Sequence, residues 1–452
     1  MGSKFLQQKY LLFSLLFLAA LFLRLFSLES NGLWIDEIWS IQTSSQHNTV
    51  SEIIALCLND THPPFFDILL HYLMVLTNDA EFTGRYLALF FGMLGILLTH
   101  YYALKIVKNE KLALFAMAIV SFNYFHLTYS FEGRFYTLIF LFSLIAIGEL
   151  YLFIISQQKN HLVKFWLFNV LFLYTHYYGG ILLIVLAIIV LALVIFKQIS
   201  RRNFWQIAFA CFMVFVCFLP WFPQMIAKEG MTSWMSKPSF GDFFNYFYLY
   251  SGKNPIEFAF LFLPLVLAFK QFKVNKILFA FLYGTIFLGF FIPFVISQFS
   301  TPLLHNRYTF IYLPSIFLLA AIFWFETKII STRMKQIAYG ITLFAIVGNL
   351  FFIRDNFYSG NKDQWKEISL FLKSQEQLPV ITEHERYLNY YLAKNDLDLA
   401  KNIAFVNSEI KTPFWFVAAP YDQRLLMSEG FLETLNTKEY PGGFTLYKVK
   451  KK

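Results

Sequence analysis

The sequence predicts an α-helical polytopic membrane protein of about eleven spans, with a small C-terminal α/β domain outside the membrane. Three observations predict it. The chain of 452 residues is 58% hydrophobic and only 14% charged, where a soluble domain carries roughly a quarter charged residues. Apolar runs of about 20 residues, the length that crosses a bilayer, recur along it. After Arg354 hydrophobicity falls and polar residues return. The mean hydropathy of +0.53 agrees.

The spanning runs are 10–28, 82–104, 112–129, 136–155, 163–175, 178–196, 204–222, 256–269, 277–297, 307–325 and 336–353. Lys4 and Lys9 precede the first run as in a signal sequence. That run is too long and lacks a small-residue exit, so it reads as an uncleaved first span. With the N-terminus in the cytoplasm, the inner loops are basic: Lys105, Lys108 and Lys111, then Lys197, Arg201 and Arg202, then Lys328, Arg333 and Lys335. Outer loops before residue 310 carry most of the carboxylates, as the positive-inside rule requires. Residues 1–353 then form the membrane domain in the inner (plasma) membrane, and 354–452 form an extracytoplasmic domain. The net charge of +9 follows from these loops and does not imply nucleic acid. Cys57, Cys211 and Cys217 make no disulfide framework or metal pair.

The first outer loop, 29–81, contains an apolar stretch, 65–76, too short to span. Phe66, Leu69, Leu70, Leu73 and Leu76 follow helical spacing. Asp67 and His71 are four apart and share a face. The stretch reads as an interfacial helix with those two on its polar side. His62-Pro63-Pro64 marks its start. Arg24, near the outer end of the first run, is expected to snorkel as an anchor. A second outer segment, 223–255, contains Trp234 and an aromatic run, and can cover a cavity. In the C-terminal domain, helices are expected at Lys362–Lys373, Glu385–Leu392 and Gln423–Leu435, and strands at Leu378–Thr382, Phe414–Ala419 and Gly443–Val449.

Ionisable residues gather at outer helix ends and loops: Asp36, Glu37, His62, Arg85, Glu132, Arg134, His176 and Arg307. The hydroxyls of Tyr86, Tyr129, Tyr136, Tyr177 and Tyr308 join them. Asp36 and Glu37 alone would read as hydrated loop residues, and Arg307 alone as a membrane anchor. Together at one depth they suggest a polar cavity, because charges near hydrocarbon are costly and face a cavity or a partner. Arginine binds phosphate through a planar fork, and a carboxylate can act as base toward a hydroxyl. Such a cavity suits a lipid-linked phosphate donor, with its tail between helices and its head at the outer surface.

Six short motifs then carry a resemblance. They are Trp34-Ile35-Asp36-Glu37, His62-Pro63-Pro64 with the amphipathic helix, Glu81-Phe82-Thr83-Gly84-Arg85-Tyr86-Leu87, Tyr129-Ser130-Phe131-Glu132-Gly133-Arg134-Phe135-Tyr136, Thr175-His176-Tyr177, and Arg307-Tyr308. In this order they resemble integral-membrane glycosyltransferases of the GT-C fold. The closer resemblance is to bacterial relatives of dolichyl-phosphate-mannose protein mannosyltransferases (glycosyltransferase family 39) and of the lipid A aminoarabinose transferase. In the fourth motif Phe131 and Phe135 stand where the family has Arg and Pro, so Glu132, Arg134 and Tyr136 carry over and the first basic position does not.

The resemblance implies an inverting hexosyl- or pentosyltransferase on the periplasmic side. Its donor would be a polyprenyl-phosphate sugar and its acceptor a lipid, polysaccharide or protein. Asp36 would be the base, with Glu37 positioning the acceptor or assisting. Arg85, Arg134 and Arg307 would hold the donor phosphate, with His62, Glu132, Tyr136, His176, Tyr177 and Tyr308 around the substrate. A divalent metal stays open, since some relatives use one and others do not; no metal ligand is assigned. The rival class is a lipid-linked sugar flippase or transporter, whose charges would sit at the bilayer midplane; here they gather at one face.

Overall fold

The computed structural model describes residues 2–26, 28–228, 235–271, 275–359, 364–402, 413–419, 432–440 and 443–451. In chain order the first helices are α1 (Gly2–Leu25), α2 (Ile35–Thr43), α3 (Val50–Cys57), α4 (Phe65–Thr77), α5 (Thr83–Val107), α6 (Glu110–Phe122), α7 (Tyr124–Tyr129) and α8 (Tyr136–Ser156). They continue with α9 (Lys159–Leu173), α10 (Tyr178–Ile195), α11 (Arg201–Phe218), α12 (Phe222–Ala227), α13 (Gly241–Tyr250) and α14 (Pro255–Leu267). Then come α15 (Lys276–Phe299), a 3₁₀ turn (Tyr308–Tyr312) leading into α16 (Leu313–Glu326), and α17 (Thr332–Ser359).

Helix occupies each of the eleven apolar runs. Seven of these segments are long and apolar enough to cross a membrane by length and composition. The other four, α6, α9, α11 and α14, are shorter or more polar. The chain is a multi-pass membrane protein. The run 112–129 is broken between α6 and α7. Asn123 is extended there, its side-chain oxygen accepts from the His126 N–H at 3.0 Å, and its amide donates to the Tyr250 carbonyl at 2.7 Å. A residue that caps one helix while ending another turns the chain at that point.

α8 is apolar around its whole circumference and lies at the centre, with every residue from Tyr136 to Ile154 buried. This is the expected place for such a helix. α1 and α17 are largely exposed, with Leu18, Phe22, Ile341 and Phe344 outward, where lipid satisfies apolar surface. Arg24 departs from the anchor reading. It is fully buried: Nε donates to Ser130 Oγ at 3.1 Å, one terminal nitrogen to the Ser121 carbonyl at 3.0 Å, and the other to His126 Nδ1 at 3.0 Å. Arginine only donates, so His126 accepts. The bonds pin α1 to the turn preceding α8.

The C-terminal domain has α18 (Trp365–Lys373), β1 (Val380–Thr382), α19 (Glu385–Lys394), β2 (Lys401–Asn402), β3 (Phe414–Ala418), β4 (Leu432–Glu439) and β5 (Thr445–Lys451). Its sheet has the order β2-β1-β3-β5-β4, with β1 parallel to β2 and β3, and β5 antiparallel to β3 and β4. The expected helix Gln423–Leu435 ends in β4 over Leu432–Leu435, while 423–431 lie outside the described residues, as does Trp234. The three-residue core strand β1 is wholly buried, so it shows no alternation.

Candidate active site

Glu37 and Asp36 sit in the first turn of α2, where the helix dipole favours carboxylates. Glu37 is buried. Its Oε1 accepts from Arg85 Nε at 2.8 Å and from the Gly133 N–H at 2.7 Å, and its Oε2 accepts from the far nitrogen of Arg85 at 2.8 Å. Oε2 also accepts from the Trp34 N–H at 3.3 Å, which closes the start of the helix. Arg85 spends its remaining donors on the carbonyls of Leu28, Asn31 and Gly32, at 2.8 to 3.0 Å. All five of its N–H groups are therefore engaged. This departs from the phosphate-binding expectation for Arg85, because no donor is left for a phosphate. The pair instead ties the Asp-Glu loop to α5 and to the turn before α8.

The neighbouring Asp36 points the other way, into a cavity of about 800 Å³. Arg307, at the foot of the 3₁₀ turn, places one nitrogen 3.4 Å from Asp36 Oδ2 and 3.4 Å from the Tyr136 hydroxyl. Its guanidinium lies 5.0 Å from the Trp34 ring centre. Both partners keep surface, with 27% of the Arg307 and 35% of the Asp36 side chain exposed. Arg134 is buried at the start of α8, donating to the Asp36 carbonyl at 3.2 Å and to Ser40 Oγ at 2.5 Å. Burial works against its charge, but Asp36, Asp60 and Asp67 outweigh that and hold it above the ordinary guanidinium value. Its Nε has no hydrogen-bond partner among the described residues.

His62 and Tyr308 line the same cavity. The His62 ring lies 4.6 Å from Phe135 and 5.2 Å from His176, and His176 lies 4.7 Å from Tyr308. Burial lowers both imidazoles below their ordinary value, His176 further because His62 and Arg134 stand beside it. His176 Nδ1 accepts the Tyr178 N–H at 3.1 Å, which leaves the proton of the neutral ring on Nε2. That atom is buried with no partner among the described residues. Glu132 is buried in the turn before α8, within electrostatic reach of Tyr136 and Arg307. Tyr177 turns away: its hydroxyl accepts from Trp221 Nε1 at 3.1 Å, in a separate cluster with α11.

The sequence reading did not single out Asn59, Asp60, Thr61 and Tyr387, which also line the cavity. Asp60 Oδ1 accepts from the Thr61 N–H at 2.6 Å, and its other oxygen lies 3.8 Å from His62 Nδ1. Burial opposes its ionisation, but His62 and Arg134 beside it hold it well below the usual carboxylate range. Asp67 and His71 are buried too, contrary to the polar-face expectation, while Tyr72, Val75 and Leu76 of α4 are exposed. His71 Nδ1 sits 3.2 Å from the Ser45 carbonyl. The helix thus buries its polar pair against the protein and turns apolar residues outward, as suits a lipid-facing element. Among the described residues no group of three His, Cys, Asp or Glu side chains could hold a metal ion. No metal ligand set is assigned, and no step is routed through a metal ion.

No family model matches the chain, and no curated protein matches it. Solved structures do. ArnT from Cupriavidus metallidurans in the apo state superposes with a TM-score of 0.60 at 11% identity, covering 96% of this chain and 97% of that one. The same protein bound to undecaprenyl phosphate gives 0.53 at 13% identity with the same coverage. The archaeal oligosaccharyltransferase AglB from Archaeoglobus fulgidus, in complex with an inhibitory peptide and a dolichol-phosphate, gives 0.56 at 11% identity, covering 97% of this chain and 74% of that one. Both are GT-C membrane glycosyltransferases. At this identity the likeness is one of fold, and the chain has the GT-C fold.

Proposed function

We propose that this chain is a membrane glycosyltransferase that moves a sugar from a polyprenyl-phosphate carrier to an acceptor outside the cytoplasm. The observation that carries the reading is the placement of Asp36. A half-buried carboxylate that keeps accessible surface meets Arg307, with Arg134 on its own backbone carbonyl, in one cavity of a GT-C fold. Solved proteins of this fold hold undecaprenyl phosphate and dolichol-phosphate. Basic loops at the opposite end of the bundle support an extracytoplasmic site.

The mechanism is a single displacement. Asp36 takes the proton from the acceptor hydroxyl as its oxygen attacks the anomeric carbon. The bond from that carbon to the phosphate oxygen breaks, and its electron pair leaves with the lipid phosphate. The products are the glycosylated acceptor and the free lipid phosphate, with the proton on Asp36. One displacement inverts the anomeric centre. Arg307 and Arg134 stabilise the charge that grows on the leaving phosphate. A donor phosphate competes with Asp36 for Arg307, so donor binding releases the carboxylate to act as base. Glu37 and Arg85 hold the loop in place, and His62 and Tyr308 border the donor head.

The test is glycan mass spectrometry on a strain lacking the gene and on the same strain complemented with it. The reading expects one sugar to vanish from a surface lipid, polysaccharide or protein in the deletion and to return on complementation, which also names the acceptor. An unchanged glycan profile in both strains contradicts it.

A further inference from the structure

The geometry points to the C-terminal domain as the acceptor-facing wall of this cavity, with Tyr387 on α19 as a specificity-determining residue. This rests on the glycosyltransferase reading. Tyr387 lines the same cavity as Asp36, Arg134 and Arg307, although 351 positions separate it from Asp36 in the sequence.

Its position is built. Arg386 lays its guanidinium 3.7 Å from the Trp39 ring centre, and its Nε donates to Gln42 Oε1 at 2.8 Å, so α19 grips α2 at two points. One turn on, the Tyr391 hydroxyl accepts from the Leu33 N–H at 2.7 Å and donates to Glu81 Oε1 at 2.8 Å. Lys394 meets the other oxygen of Glu81 at 3.2 Å. The approach is tight: a Cβ on Gly32 would stand 2.7 Å from Lys366 Cβ. Behind Tyr387, the buried Trp365 ring lies 6.2 Å away. The side chain is thus backed by its own domain and faces the cavity.

The division of labour follows from where the walls are rooted. Arg134 and Arg307 stand at the starts of α8 and of the 3₁₀ turn, so the phosphate is gripped from the helix bundle. α2 turns Glu37 toward α5 and α8, and presents Trp39 and Gln42 to α19. A carrier whose tail lies in lipid enters from the bundle. The acceptor hydroxyl must reach Asp36, and Tyr387 and Trp39 line the cavity there. An aromatic wall recognises its guest by shape and ring contact.

The test uses full-length wild type, Tyr387→Ala and Tyr387→Phe at matched membrane levels. Transferred sugar is measured by glycan mass spectrometry, and undecaprenyl phosphate binding by native mass spectrometry of the purified proteins. Tyr387→Ala is expected to cut the product about 10-fold and keep undecaprenyl phosphate binding within about 2-fold, because an acceptor contact spares donor binding. Tyr387→Phe, which keeps the ring, is expected to retain at least about half of the product. Tyr387→Leu, which keeps apolar bulk but not the ring, replaces the alanine variant should that one fail to accumulate. Wild-type product from the ringless variant overturns the assignment, as does a parallel loss of undecaprenyl phosphate binding. If deletion removes no sugar at all, the glycosyltransferase reading fails first and the role of Tyr387 falls with it.

Discussion

Asp36 and Glu37 are adjacent in sequence and opposite in environment. Glu37 is closed in by Arg85 and Gly133, while Asp36 keeps exposed surface beside Arg307. Removing one partner of a buried ion pair leaves an uncompensated charge and costs about 3–5 kcal/mol. Glu37→Gln and Arg85→Ala are therefore expected to lower the thermal midpoint in detergent sharply, whereas Asp36→Asn leaves it nearly unchanged. Asp67 supplies a pH signature. Burial pushes its carboxyl up to about 6, above the roughly 3.9 of an unfolded chain. A raised acid is a cost that grows as pH climbs from the unfolded value to the folded one, and then stays constant. Asp67→Asn is expected to stabilise the protein by about 3 kcal/mol at pH 7, a gain that shrinks toward zero at pH 4. Unfolding followed at both pH values checks this; a pH-independent effect contradicts it. The carboxylate pair was legible as a motif, but its division was not, because Arg85 lies 48 residues from Glu37.

At the scale of elements, the turn before α8 is where the site is assembled. Arg24 holds it from α1 and Glu37 bonds the Gly133 N–H, while Gly84 of α5 packs against Gly133 backbone to backbone. A Cβ on Gly133 would stand 3.1 to 3.3 Å from the backbone of Gly84 and Arg85, and a backbone yields less readily than a side-chain tip. Gly133→Ala is expected to cost about 1–3 kcal/mol of stability and to reduce transfer, since it shifts Arg134 and Glu132 as well. A thermal midpoint and product level equal to wild type would show that the crossing has slack. Hydrophobic periodicity found the helices because lipid-facing and core helices are both apolar over long runs. It missed the break at Asn123, where a single capping side chain decides. It also misassigned the polar face of α4, because near a membrane the inward face can be the polar one.

For the molecule as a whole, the C-terminal domain is part of the cavity through Tyr387 of α19. Its contact with α2 spans more than 300 residues. Salt separates two kinds of contact here. The Lys394–Glu81 and Arg386–Gln42 contacts are exposed and worth under about 1 kcal/mol each, whereas the Leu33–Tyr391–Glu81 chain is shielded. Raising salt from 0.1 to 0.5 M is therefore expected to leave limited proteolysis between α17 and α18 unchanged; rapid cleavage at high salt alone would show that surface charge holds the domain. The fold class and the set of charged residues were legible because bilayer crossing imposes long apolar runs, against which charges stand out. The part of the cavity lining that Tyr387 supplies was not, because it comes from a distant segment of ordinary composition.

The central claim is that Asp36 is the base of a sugar transfer in this cavity. It is tested most directly by complementing the deletion strain with Asp36→Asn at a membrane level matched to wild type, and measuring the transferred sugar by mass spectrometry. Loss of a general base removes about 10²–10⁴-fold of rate, so the account predicts no detectable product alongside normal undecaprenyl phosphate binding. Full restoration of the glycan by Asp36→Asn would contradict it.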